Sequence, residues 1–165
     1  MNEAFVKLAQ LFICTEGVTG RKKLQKMVHI LQTQGVDFGF DFRLALYGAY
    51  SSNLSSQVEE LVEFGLINES PNSAGGYPTS NFVAQEKLIS TLDTLQESHI
   101  PTWSDFAKSL NEKSSRELEG ISTVLYLEKA GLAGESLKVQ FQAIKPHLSG
   151  DFEAARSYVS ALSAA

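Results

Sequence analysis

A predominantly helical α+β fold is predicted by three features of the sequence. Apolar residues recur at helical spacing through most of the chain, as in Phe5/Leu8/Phe12, Leu24/Met27/Val28/Leu31 and Leu54/Val58/Leu61/Val62. In one place the period changes to two: Phe38, Phe40, Phe42, Leu44 and Leu46 alternate with Gly39, Asp41, Arg43, Ala45 and Tyr47, the pattern of a half-buried strand. Further on, the turn-rich residues 70–76 separate Leu66-Ile67-Asn68 from residues 80–84, a hairpin with a glycine-rich tip. Helix, short strand, tip and strand in that order form the wing half of a winged helix. The expected architecture is therefore a winged-helix-like N-terminal half with a small antiparallel sheet, followed by a C-terminal helical bundle.

Each element has its own signals. The first helix, with Phe5, Leu8 and Phe12 on one face, ends before Gly17, and the second opens near Thr19 or Gly20 and closes at Gly35. The alternating stretch follows, and residues 48–52 read as a turn. Ser51 or Ser52 caps the third helix and Gly65 stops it. Leu88, Leu92 and Leu95 form the next stripe; Pro101 and Ser104 frame a helix with Trp103, Phe106, Ala107 and Leu110 on one face. Ser114 and Glu117 have capping-box spacing and launch a helix carrying Leu118, Ile121 and Leu125 as far as Gly131. Leu137, Phe141 and Ile144 mark another that ends at Pro146, and Asp151 is the expected cap of a last one bearing Phe152, Ala155, Val159 and Leu162. The loop at 98–101 divides the chain into an α+β part, 1–98, and a helical part, 99–165, expected to pack as one unit.

Bulk properties narrow the function classes. At 43% hydrophobic and 20% charged residues, a chain of 165 buries a real core. A net charge of −5 is unsuited to coating nucleic acid or anionic membrane with the whole surface. No apolar run is long enough to span a bilayer, and the start Met1-Asn2-Glu3-Ala4-Phe5 lacks a signal-peptide pattern. One cysteine, Cys14, allows no internal disulfide, and a cytoplasmic location is expected.

The most distinctive charged feature is the cluster Arg21, Lys22, Lys23 and Lys26, with no acid between Gly17 and Gln34. Cations at a helix N-terminus oppose the macrodipole, so helix stability does not explain them. At 100° per residue, Lys22, Lys26 and His29 are expected to point away from the Leu24/Met27/Val28/Leu31 face. The competing uses are a patch for phosphate or an acidic partner surface, and a solvated face or an ion-pair surface facing Glu59, Glu60 and Glu63. Tyr47 and Tyr50 bracket a turn and are candidate partner anchors. Nucleic acid is disfavoured, because residues 44–86, which hold the recognition helix and wing, contain no Lys or Arg and five glutamates. His29, His99 and His147 are dispersed and lack metal-ligand spacing, Cys14 reads as a small core residue, and no nucleophile or phosphate-loop motif is present. No catalytic residue, metal or cofactor is expected. A dispersed active site would be recognised by a pocket holding one of the histidines beside a carboxylate.

Residues 20–28 (GRKKLQKMV), then Leu46-Tyr47-Gly48-Ala49-Tyr50-Ser51, then Leu61 and Gly65-Leu66-Ile67, together resemble the YwgA-like bacterial proteins. These are in turn similar to the Panacea domain of SocA-like antitoxins, which carries a like Leu-Gln-Lys helix and an aromatic-Gly-Pro turn. Glu117-Leu118-Glu119, Leu125-Tyr126-Leu127 and Lys145-Pro146-His147 extend the resemblance over most of the chain; Ala49 stands where the pattern has proline. The resemblance implies a partly winged-helix-like fold and an antitoxin-like, partner-binding role, with no catalytic residues. The expectation is thus a non-enzymatic regulatory module that binds a protein through Arg21, Lys22, Lys23, Lys26, Tyr47 and Tyr50. The alternative is a nucleic-acid-binding regulator contacting phosphates through the same patch. Apolar stripes in the C-terminal helices also allow a homodimer.

Overall fold

The computed structural model describes residues 2–164. Helix α1 (Glu3–Cys14) begins where the Asn2 side chain accepts a hydrogen bond from the Ala4 N–H at 3.1 Å. The chain then forms strand β1 (Val18–Thr19), helix α2 (Arg21–Thr33), a hairpin of β2 (Arg43–Ala45) and β3 (Gly48–Tyr50), and helix α3 (Ser52–Glu63). Strands β4 (Ile67–Asn72) and β5 (Thr79–Ala84) follow, and then helices α4 (Glu86–Thr94), α5 (Ser104–Asn111), α6 (Ser115–Lys129), α7 (Gly134–Ile144) and α8 (Phe152–Ala164), with a 3₁₀ turn at Pro146–Asp151 before the last.

The sheet has the order β1-β5-β4 and is antiparallel throughout, with Val18 opposite Phe82 and Ile67 opposite Ala84. Three strands in that order around α2 and α3 make a winged-helix-like unit. Strand β1 was too short for any periodicity to reveal. It enters through Gly17, whose φ is +115° and whose missing Cβ would lie 2.9 Å from the Phe82 carbonyl oxygen. The expected caps are present: Ser51 accepts from the Leu54 N–H, and Ser114 and Glu117 close the capping box of α6. Asp151 instead ends the 3₁₀ turn and accepts a 2.9 Å hydrogen bond from Arg116 Nε.

The alternating stretch differs from expectation. Only Arg43–Ala45 is strand; residues 36–42 form no regular element, and Gly39 among them has a φ of +72°. The alternation itself is real, with Val36, Phe38 and Phe40 buried and Asp37, Gly39 and Asp41 exposed. Period two reports one buried face on this irregular segment. Here that backbone lies against helix α2 rather than beside another strand. The expected turn at 48–52 is largely strand β3, and the reversal is at Leu46-Tyr47. A single apolar core runs from Leu8 and Phe12 through Met27 and Ile30 to Val124, Phe141 and Phe152, so both halves of the chain share it.

Gly17→Ala is expected to destabilise the protein more than Gly35→Ala in urea denaturation. Both have positive φ, but nothing lies within 4 Å of a Cβ at Gly35.

Candidate functional site

Helix α2 has no solvent face along its middle: all eight residues 24–31 are buried, among them the polar Gln25, Lys26 and His29. With the half-buried Gln32, these stand at i, i+1, i+4 and i+7, a single polar stripe on the helix. A buried polar group without a partner costs about 1–3 kcal/mol, and each of the four side chains in this stripe makes at least one hydrogen bond. The Gln25 amide donates to the Ser51 carbonyl and accepts from the Ser51 N–H, both at 2.9 Å. Gln32 does the same with Phe40, at 2.7 and 3.1 Å. Lys26 Nζ donates to the Ala49 carbonyl at 2.7 Å, and His29 Nδ1 is 2.6 Å from Ser122 Oγ of α6. The two glutamines thus act as surrogate strands, pairing with the backbone at either end of residues 40–51.

The tip of that segment is latched from the far end of the chain. Lys145, 1% exposed, donates to the Leu46 carbonyl at 2.8 Å and lies 3.0 Å from Glu119 Oε1, which His147 Nε2 also approaches at 3.3 Å. Gly48, at φ +98°, lets the hairpin close over this cluster; a Cβ there would meet Lys26 Cε at 3.1 Å. The held tip nonetheless presents Leu46, Tyr47 and Tyr50 to solvent, at 78%, 51% and 43% exposure. Lys22 Nζ sits 3.4 Å from the Tyr47 ring centroid, a cation–π contact.

The predicted basic cluster is divided by this geometry. Arg21 makes a two-pronged contact with Glu69, at 3.0 and 2.8 Å, and reaches Glu59 at 3.4 Å. The hydrogen bond to Arg21 holds the Glu69 carboxyl below its ordinary range. Lys23 donates to the Asn111 carbonyl. Lys26 and His29 point inward, contrary to the outward orientation expected for them, because α6 and the β2–β3 hairpin cover the side of α2 opposite the Leu24 stripe. Lys22 alone of the four cations has no carboxylate or carbonyl partner among the described residues; it joins Tyr47 and Tyr50 at the hairpin. The reading from sequence missed Gln25, Gln32, Glu119, Lys145 and Leu46. Gln25 and Gln32, seven apart and so on one face of α2, were the available signal.

Burial pushes the Lys26 ammonium down to about 8, with Glu119 partly offsetting it, and brings His29 down to about 4, with Lys26 and Lys129 adding to the effect. A histidine so depressed is a weak general base, and Ser122, fully buried within a helix, offers no approach to a substrate. Each histidine does have a carboxylate in its vicinity: His29 shares a surface pocket with Asp41, His99 lies 3.7 Å from Glu97, and His147 meets Glu119. His29 hydrogen-bonds to a serine rather than to Asp41, and Glu119 is already engaged by Lys145. Cys14 is half-buried and burial raises its thiol pKa, which makes it a poor nucleophile. Among the described residues no group of histidine, cysteine and carboxylate side chains could hold a metal, and no helix is long and apolar enough to cross a membrane.

These features define a winged-helix-like unit with a latched hairpin inserted between α2 and α3 and a helical C-terminal part. No protein-family model matches the chain. It is 32% identical over 165 residues to "Uncharacterized protein YwgA" of Bacillus subtilis (strain 168), covering 98% of each chain. The chain therefore belongs to the YwgA family of bacterial proteins.

Two outcomes follow from the α2 stripe. Gln25→Leu strands the Ser51 N–H and carbonyl and should cost about 2–4 kcal/mol in chemical denaturation, with Gln32→Leu costing less because its site is half-buried. For His29 the folded pKa lies below the unfolded one. The unfolded chain therefore binds the extra proton between the ordinary histidine value and about 4. Stability contributed by neutral His29 is present above that window and falls by up to about 1.4 kcal/mol per pH unit as the pH drops through it. Denaturation curves of wild type and His29→Gln should differ in slope over that window and run parallel above it.

Proposed function

We propose that the protein is a non-enzymatic, cytoplasmic regulatory module that binds a partner protein through the tip of the β2–β3 hairpin. The single observation that carries this reading is an exposed apolar tip, Leu46, Tyr47 and Tyr50, on a backbone fixed by three buried side chains, Gln25, Lys26 and Lys145. A rigid aromatic and aliphatic anchor loses little entropy on binding, and tyrosine is favoured at energetic centres of interfaces. Exposed Lys22 and Arg43 flank the tip, so the complementary partner surface is apolar with an acidic margin. Tyr47 and Tyr50 keep the role expected of them. Of the basic residues, Lys22 is offered to the partner, while Arg21, Lys23 and Lys26 support the surface from behind. The likeness of the Leu-Gln-Lys helix and hairpin turn to the Panacea domain of SocA-like antitoxins supports an antitoxin-like role for this protein, with a toxin-like partner restrained by binding.

Nucleic acid is the weaker reading. Helix α3 occupies the recognition-helix position of the winged unit, and its exposed residues include Glu59, Glu60 and Glu63. Those charges would meet phosphate.

The partner is to be recovered by crosslinking in a native host and then reconstituted from purified proteins. Leu46→Asp and Lys22→Glu should each weaken the reconstituted complex by about tenfold or more. Ile100→Asp, at a residue 82% exposed on a different loop, should leave it unchanged. Equal loss in all three variants, or binding that survives Leu46→Asp, overturns the reading.

A further inference from the structure

The pocket beside His29 belongs to neither the hairpin tip nor its latch. It has a volume of about 300 Å³ and lies between α2, residues 40–42 and the C-terminal end of α6. Phe40, Phe42 and Tyr126 line it, with Asp41 and Lys129 at its exposed margin. The His29 ring stands between two of these aromatics, its centroid 4.9 Å from Phe42 and 6.2 Å from Tyr126. That volume is at the small end for a ligand pocket, and its wall mixes the three aromatics with the polar side chains of Gln32 and Thr33.

His29 is the most buried polar group in that wall. Only 4% of the residue is exposed, and Nδ1 is turned to Ser122. Nε2, across the ring, has no protein partner among the described residues, and it is not among the polar atoms sealed from solvent without one. The tautomer follows from Ser122. Its hydroxyl is fully buried, and His29 Nδ1 is the one partner it has among the described residues. If Nδ1 carried the proton, the serine hydroxyl hydrogen would be stranded in the core. The hydroxyl therefore donates to Nδ1, which places the ring proton on Nε2, facing the pocket as a donor. Lys129 at the rim adds positive potential, and Lys26 adds more from behind the ring. Asp41 at the same rim is exposed and screened by solvent, as Lys129 is, and opposes it, so the buried Lys26 carries the positive potential.

We propose that this pocket binds a small aromatic carboxylate, whose ring packs against Phe40, Phe42 and Tyr126 while its carboxylate accepts the His29 Nε2–H and faces Lys129. The site stands independently of partner binding at the hairpin.

The test uses the full chain and three probes of one shape: benzoate, uncharged benzamide and cationic benzylamine. Imidazole nitrogen NMR of the free protein should show the Nε2–H tautomer for His29, and Ser122→Ala should release that preference. Benzoate should shift the His29 and Tyr126 ring resonances saturably. Benzamide should bind more weakly, and benzylamine not at all. Lys129→Glu, at an exposed position, should weaken benzoate severalfold and leave benzamide unchanged. An Nδ1–H tautomer in the free protein overturns the proposal. So do benzoate shifts no larger than those from sodium chloride, or benzylamine binding as well as benzoate.

Discussion

Burial of the whole middle of helix α2 is the constraint from which the rest of the molecule follows. A helix covered on all sides by apolar residues would need no specific neighbours beyond shape. This one carries Gln25, Lys26 and His29 inside the protein, and each needs a defined partner once water is gone. Their partners are backbone groups of the inserted hairpin and one serine of α6. The polar stripe therefore selects a single placement for residues 36–51, whose only regular pairing of their own is the short β2–β3 ladder. Apolar contacts at Phe38 and Phe40 supply the attraction; the glutamines supply the register.

The same constraint explains the charges. A buried lysine is costly unless solvated by carbonyls or an acid, and Lys26 and Lys145 face successive parts of the hairpin with Glu119 near both. Arg21, at the rim of the same helix, is neutralised by Glu59 and Glu69 instead. A stretch of sequence that looks like one basic patch is in fact four lysine and arginine side chains in four different environments.

Much of the fold was legible from the sequence because its signals are local. The caps at Ser51 and Ser114, the stop at Gly65 and the tip before β5 need only neighbouring residues to be recognised, and each is present. Residues 36–42 show where locality fails. Their alternation correctly marks one buried face, yet pairing depends on what lies opposite, and that turned out to be a helix's glutamines. Lys26 was misplaced for a related reason. Helical geometry put it opposite the apolar stripe, and only tertiary structure shows that α6 and the hairpin cover that side too. Strand β1, two residues long, exists because β5 is there to pair with it. Tyr47 and Tyr50 could be singled out at the turn, whereas Leu46 could not, since the alternation assigned it to a buried face.

The Lys145–Leu46 latch joins residues 99 apart in sequence. During synthesis the hairpin emerges long before the residue that fastens it. A nascent chain that has exposed the winged-helix unit, but not yet the end of α7, carries an apolar tip with one of its three supports missing. Completion of this surface therefore waits for a residue beyond α7 even though no covalent change is involved. A chain terminated early would keep most of its secondary structure and still lack the finished hairpin.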